Sequence, residues 1–444
     1  MSRVVSWLLN LFYVALLVVC APLILWAAVR TGKYRDGYRQ KFLGFVPRRE
    51  GDAICIWIHA VSVGEVNLIA TLLCTLRSRH PDWQFVVSTT SRTGYELACK
   101  KYADLTVFYC PLDFSWAVRT ALRRIRPSLL VLAELELWPN LILAAKAEGA
   151  RVAIINGRMS DHSFPGYHRF RPLINFLLGQ LDLIAAQNDE SAERFRALGA
   201  PQDRVRVTGS LKYDGAPTDR DNPRTAALRA LAGFAEDDIV FLAGSTQDPE
   251  EQFAVDIYRR LMAQHPRLRL VLVPRHPERF DAVAKLLDAA NVSWCRRSEL
   301  DSESIRDLAD RRPVLLVDTI GELGAWWGTA QIALVGGSFG SRGGQNMIEP
   351  AAYGAAVSFG PNTWNFRDIV SALVATDAAV VVRDRAELEA FVRRALEEPA
   401  WAAGLGGRAQ ALVRSQLGAT GRTVSLIETL VQPAGKTSEQ RSAA

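Results

Sequence analysis

A chain of 444 residues is long enough for two or three domains with substantial cores. Its 49% hydrophobic and 23% charged residues describe a globular protein with one unusually apolar segment. The net charge of +6 comes without Lys/Arg blocks or aromatic-basic interleaving, so it suits anionic substrates or a membrane surface and gives no case for nucleic acid.

The first element, residues 4–29, is almost wholly apolar, with Asn10 its only strongly polar interruption, and it exceeds the ~20 residues needed to cross a bilayer. Residues 1–33 therefore read as a membrane anchor. A cleaved signal would end in a small-residue site, whereas this run meets Arg30, Lys33, Arg35, Arg39 and Lys41. Those charges put the rest of the chain on the cytoplasmic side. The six cysteines, Cys20, Cys55, Cys74, Cys99, Cys110 and Cys295, form no C-x-x-C pair and indicate neither a zinc site nor a disulfide framework. A reducing compartment fits them.

From Ala53 short apolar runs alternate with helical patterns. AICIWIHA precedes a helix from about Glu65, FVVSTTS precedes TGYELACKKY, LLVLAELELW precedes NLILAAKAEG, and VAIIN follows. Such alternation predicts a parallel sheet covered on both faces. A polar stretch, GAPTDRDNPRT (215–225), reads as a linker. The rhythm then restarts with IVFLAGST, LRLVLVPRH, PVLLVD, IALVGGS, AAVSFG and AAVVV. The expected architecture is α/β, with two doubly wound domains over 50–214 and 226–405 facing a cleft, a closing helix over 406–432, and a disordered tail over 433–444.

In open α/β sheets ligands bind beyond the carboxyl ends of the strands. At the first such end Ser62-x-x-Glu65 fits a helix capping box and fits a general base equally well. In ELELWPN, Glu134 and Glu136 share a face if the strand continues through them, and buried carboxylates there need a partner or a role. Lys212, in GSLKYD, ends the first domain. In the second domain Ser245 and Thr246 end a strand where an anion could sit, and Arg275, His276 and Arg279 follow a strand with guanidinium forks suited to phosphate. Gly321, Glu322 and Leu323 could offer backbone groups to a base edge. The glycine-dense turn Gly336, Gly337, Ser338, Gly340, Gly343 and Gly344 runs into NMIEPAAYG, the arrangement of an anion site at a helix start, with Glu349 placed for a ribose diol. No D-x-D is placed to hold a metal.

Taken together, HAVSVGEV, STTSRTGYELA, ELELWPN, NGRMSDHSF, GSLKYD, PRHPERF, GEL, GGSFGSRGGQNMIEPA and GPNTWNF resemble, in order and spacing, the Kdo transferases of lipopolysaccharide synthesis. The resemblance implies the GT-B fold and inverting transfer of 3-deoxy-D-manno-octulosonic acid (Kdo) from CMP-Kdo to a phosphorylated lipid A precursor at the inner face of the cytoplasmic membrane. CMP-Kdo is then the donor substrate, and neither a separate cofactor nor a metal is implied. Carried over by motif, the general base falls on Glu65 and the transition-state pair on Glu134 and Lys212. CMP contacts fall on Pro274, Arg275, Gly321, Glu322, Leu323, Asn346, Met347, Ile348 and Glu349, beside the strand-end candidates Ser245, Gly337 and Ser338. Two departures stand out. Gln247 in STQDPEE and Gln345 in GGQN replace family histidines with amides, which form hydrogen bonds but carry no charge. They leave open a transferase for another CMP- or UDP-linked sugar, or an inactive membrane-bound relative.

Overall fold

The computed structural model describes residues 2–31, 36–300 and 311–431; Lys33, Arg35 and the tail 433–444 lie outside them. The chain divides into two compact units, Met1–Asp214 with Leu417–Ala444, and Gly215–Gln416.

The first unit is built on β1 (Cys55–His59), β2 (Gln84–Thr89), β3 (Thr106–Tyr109), β4 (Leu129–Ala133), β5 (Arg151–Gly157), β6 (Leu183–Ala186) and β7 (Val205–Val207). They form one parallel sheet in the order β3-β2-β1-β4-β5-β6-β7. Successive side chains point to opposite faces, so Trp57, Leu130, Leu132 and Ile154 join one core while Ile56, Ile58, Leu129 and Val131 join the other. Both faces are buried, as a parallel sheet requires. The winding reverses between β1 and β4, which register with Trp57 opposite Leu130.

The second unit repeats the plan with β8 (Ile239–Thr246), β9 (Leu268–Pro274), β10 (Trp294–Arg296), β11 (Val314–Leu316), β12 (Ile332–Val335), β13 (Ala356–Phe359) and β14 (Ala379–Val381). Their order is β10-β11-β9-β8-β12-β13-β14, again all parallel, and the winding reverses between β8 and β12. The apolar runs picked from the sequence all contain strands, but β3, β6, β7 and β10 went unread. They are three or four residues long, and β3, β7 and β10 are partly exposed, so none shows a usable period.

The closing helix expected over 406–432 is instead two helices. Pro399–Gln416 belongs to the second unit, and Ala419–Val431 returns to the first, where Ala419, Val424 and Ile427 enter the core with Val66 and Ile69. Gly418, at φ 88, breaks the run, and the Asp214 carboxylate accepts the N–H groups of Gly418 (2.8 Å) and Thr420.

The N-terminal helix, Ser2–Thr31, is long and apolar enough to cross a membrane by length and composition. Asn10, read as a polar interruption, is a docking residue. Its Nδ2 donates to Ser115 Oγ (2.7 Å) and its Oδ1 accepts the Ser115 N–H (3.0 Å). One turn on, the Tyr13 hydroxyl donates to Asp113 (3.0 Å). Asp113 also accepts the N–H groups of Asn140 (3.0 Å) and Leu141 (2.8 Å), capping the helix Pro139–Ala147, whose first residue has no N–H to satisfy.

Burial pushes Asp113 up to about 7, against the pull of those N–H groups and the Tyr13 hydroxyl. The folded protein therefore holds this proton more tightly than an unfolded chain, in which aspartates titrate near about 3.9. The corresponding stability is fully present below about pH 4 and is lost as pH rises through about 7. Melting temperatures of the detergent-solubilised protein should thus fall more steeply between about pH 5 and pH 8 for wild type than for Asp113→Asn. Parallel slopes would remove Asp113 as the source.

Candidate active site

In the first unit the reversal between β1 and β4 opens a crevice beyond the strand ends. Past β1, Ser62 precedes the helix Val63–Arg79, and its N–H donates to Glu65 Oε2 (2.5 Å). Glu65 does cap the helix, yet its Oε1 has no hydrogen-bond partner among the described residues. Past β4 the expected alternation of Glu134 and Glu136 along a strand is corrected. The strand stops at Ala133, and Glu134 sits at φ 60, in the left-handed region that a glutamate seldom occupies. A hydrogen bond from its N–H to Ile155 O (2.9 Å) holds it there. The turn aims Glu134 Oε1 to 3.3 Å from Lys212 Nζ.

Lys212 is placed from a third strand. Asn156, in β5 and also left-handed (φ 53), accepts the Leu211 N–H through Oδ1 (2.9 Å). Glu136 accepts the Trp138 indole N–H (2.9 Å); burial raises its pKa, and the charges of Glu65 and Glu134 raise it further. Three carboxylates therefore share one field, with Lys212 beside Glu134. Behind them His59 ends β1, fully buried, with Nδ1 at 2.9 Å from Ser88 Oγ and its ring edge-on to Trp138 at 6.0 Å. Burial pushes His59 down to about 4, so it is neutral at pH 7. Sequence reasoning missed Asn156 and His59 as supports, because buried polar side chains leave no local pattern. Among the described residues no group of three or more His, Cys, Asp or Glu side chains is assembled as for a metal.

In the second unit the glycine-dense turn follows β12 at the β8/β12 reversal, but its amides are already engaged. Glu250, almost fully buried, accepts the N–H groups of Gln247 (2.8 Å), Gly337 (2.8 Å), Ser338 (2.9 Å) and Phe339 (3.2 Å). The expectation that Gly337 and Ser338 offer free N–H groups to an anion is therefore corrected. Gly336 must be glycine here, since a Cβ would fall 2.6 Å from Glu250 Oε2. Burial raises the pKa of Glu250, and the four N–H bonds oppose that shift.

The helix after the turn is also shorter than expected, covering only Ile348–Ala352. Asn346 Oδ1 accepts the Ile348 N–H (3.0 Å) while its Nδ2 donates to Glu349 (3.0 Å). The side chains of Met347 and Ile348 are buried in the core, so only their backbone is left for a ligand. Burial raises the pKa of Glu349, and the Asn346 bond opposes it. A methyl at Gly324 would lie 3.7 Å from Glu349 Oε2, which sets the turn of Gly321, Glu322 and Leu323 beside Glu349. The Glu322 carboxylate is taken by Arg297 (2.9 and 3.0 Å) and Thr319 (2.7 Å).

Pro274 ends β9, and the next residue, Arg275, is exposed with its N–H bonded to Thr246 O (3.0 Å). Its guanidinium has no ion pair among the described residues. The fork of Arg279, by contrast, is occupied by Glu251 (3.0 and 3.1 Å). Ser245 and Thr246 do end β8, with Ser245 buried at φ 56, but the following helix starts only at Glu250, so no helix start faces an anion there. The amide Nε2 of Gln247 is buried without a partner, and Gln345 packs against Gly337.

A family model described as 3-deoxy-D-manno-octulosonic-acid transferase (kdotransferase) matches residues 36–215. The 3-deoxy-D-manno-octulosonic acid transferase of Haemophilus influenzae is 33% identical over 95% of this chain and 98% of its own length. That of Bordetella pertussis is 34% identical over 84% of this chain and 86% of its own. A crystal structure of a glycosyltransferase from Rickettsia africae superposes with a TM-score of 0.53 at 10% identity, covering 86% of this chain and all of the other. That likeness gives the fold, which is GT-B.

Replacing Glu250 by alanine would leave buried N–H groups of the glycine turn without an acceptor, at roughly 1–3 kcal/mol for each group that water cannot reach. Glu250→Ala should therefore destabilise the second unit in urea titrations far more than Glu250→Gln, which keeps one acceptor oxygen. Equal stability of Glu250→Ala and wild type would show that the turn holds itself.

Proposed function

This chain belongs to the 3-deoxy-D-manno-octulosonic-acid transferase family, and from that premise we propose that it moves Kdo from CMP-Kdo to the phosphorylated, acylated glucosamine disaccharide lipid IVA. The observation that supports the mechanism is the Glu134–Lys212 pair, 3.3 Å apart past β4, with Glu65 past β1 near enough that its charge, like that of Glu134, acts on Glu136. Glu65, with one oxygen fixed by Ser62 and the other unpartnered, takes the proton of the attacking sugar hydroxyl. That oxygen bonds to C2 of the donor as the C2–O bond to phosphate breaks, and CMP departs with the bonding electrons. Attack from the face opposite the leaving group inverts C2.

Glu134 and Lys212, 3.3 Å apart, present opposite charges where charge separates in an oxocarbenium-like transition state. Once bound substrates displace water from around them, such fixed charges need no reorganisation as the reaction proceeds. The second unit holds the nucleotide in this reading. Arg275, exposed and without an ion pair among the described residues, suits the phosphate. Glu349 suits the ribose diol, and the backbone of Gly321 and Leu323 suits the base edge. Glu250 keeps the glycine turn in shape, a role that replaces direct donor contact by the amides of Gly337 and Ser338. The N-terminal helix ties the protein to the cytoplasmic membrane, where an acylated acceptor resides.

Glu65→Gln separates capping from proton transfer, because glutamine still accepts the Ser62 N–H but takes no proton at neutral pH. Capping alone involves roughly 0.5–2 kcal/mol of stability. Loss of a general base costs on the order of 10² to 10⁴ in turnover. We expect near-native melting, retained CMP binding and turnover lowered to that extent. Retention of more than about a tenth of wild-type turnover would return Glu65 to a structural role.

A further inference from the structure

The first unit contains a cavity of about 490 Å³ whose walls are Leu135, Leu137, Trp138, Leu173, Ile174 and Leu177. Tyr13 of the N-terminal helix closes one side, and Glu136 and Tyr167 supply the carboxylate and hydroxyl. We propose that this cavity takes one acyl chain of the acceptor, and that the N-terminal helix is thereby a wall of the acceptor site as well as a tether. The inference rests on the acceptor's being the acylated sugar phosphate of the functional reading above.

The lining decides the class of ligand. A nucleotide or sugar needs several convergent polar groups, and here few are free. The Trp138 indole N–H is spent on Glu136 (2.9 Å) and the Tyr13 hydroxyl on Asp113 (3.0 Å). The remaining wall is aliphatic, and the volume lies within the roughly 300–1,000 Å³ of small-molecule sites. Burying methylenes against such a wall is favourable without any directional contact.

Position decides which apolar ligand. The segment that carries Glu134 and Glu136 also carries Leu135 and Leu137, so the carboxylate site and the aliphatic wall are adjacent by covalent geometry. Glu136 belongs to both, since it lines the cavity and its field reaches Glu65 and Glu134. A headgroup hydroxyl at Glu65 therefore brings its own acyl chains to the cavity. On the other side, Tyr13 is held by Asp113 while Leu11 and Phe12 next to it are 69% and 60% exposed. The Phe12 ring lies 5.9 Å from that of Tyr13, so exposed apolar surface of the helix begins beside the cavity wall. An acyl chain leaving the lipid beside this helix meets apolar side chains next to the cavity, where its methylenes are removed from water.

The test uses the full chain in detergent with two acceptors, lipid IVA and its fully deacylated form, and the cavity-filling variant Leu173→Trp. Leu173 is half-buried on the helix Arg171–Leu178 and lines the cavity, in whose lining neither Glu65, Glu134 nor Lys212 stands. With lipid IVA the variant should raise KM by about tenfold, the loss of roughly two buried methylenes, at little change in kcat. With deacylated acceptor it should behave as wild type. Equal effects on both acceptors, or none on either, would overturn the inference. Leu173→Phe serves in the same way if the tryptophan variant melts early. A diazirine-bearing fatty-acyl glucosamine phosphate gives a readout that needs no turnover: it should label peptides that line the cavity, those holding Tyr13, 135–139 or 167–177, and lose that labelling in the filled variant. Labelling elsewhere, or unchanged by the filling, overturns the inference even if wild type transfers no sugar, a result that would count against the functional reading instead.

Discussion

Both sheets are parallel and covered on both faces, so charge can be housed only where strands stop. β1, β4 and β9 are buried along their whole length. Within the fully buried strands the charge at an interior position is Arg269 of β9, tolerated through Asp238, 3.1 Å away, and the Phe234 ring beneath its guanidinium at 5.0 Å. The candidate site residues lie beyond the carboxyl ends of the strands, most of them near the two points where the winding reverses. There the backbone turns sharply enough to put non-glycine residues into left-handed conformations, Glu134 and Asn156 in one unit and Ser245 in the other. Each such residue costs of order 1–3 kcal/mol and persists because neighbours over-determine it. For Glu134 the neighbours are Ile155 and Lys212, and for Asn156 they are Leu211 and Gln187.

The two units meet this constraint in different ways. The first leaves carboxylates partly accessible and sets Lys212 beside Glu134, an arrangement suited to the proton transfer and charge separation proposed above. The second neutralises its own anion nest internally, with Glu250 seated on the amides of the glycine turn. What it leaves open is Arg275 and the half-buried acid Glu349. A turn held by a buried carboxylate is preorganised before any ligand arrives, which lowers the ordering cost of binding.

The alternation of strands and helices was legible because long buried strands such as β8 and β9 are continuous apolar runs, whereas β7 and β10 are too short and exposed to register. The Ser62–Glu65 capping geometry was legible too, since it depends on four consecutive residues. The Glu134–Lys212 pair came from motif order alone: 78 positions of chain separate its members (212 − 134), and no local pattern reports such a contact. Glu250 was invisible because it reads as an ordinary first-turn acid of a helix, while the glycine-turn partners Gly337, Ser338 and Phe339 lie 87 to 89 residues away. Asn10 misled for the same reason: within an apolar run it looks like a flaw, and only the fold brings Ser115 to it.

The central claim, that this chain attaches Kdo to a lipid acceptor, is tested most directly by mass spectrometry of lipid IVA incubated with the purified full-length protein and a continuous supply of CMP-Kdo. The account predicts that the acceptor mass grows by whole Kdo residues, that it does so only when CMP-Kdo is supplied, and that UDP-linked sugars in its place leave the mass unchanged. An unchanged acceptor with CMP-Kdo, or growth only with a different nucleotide sugar, would contradict it.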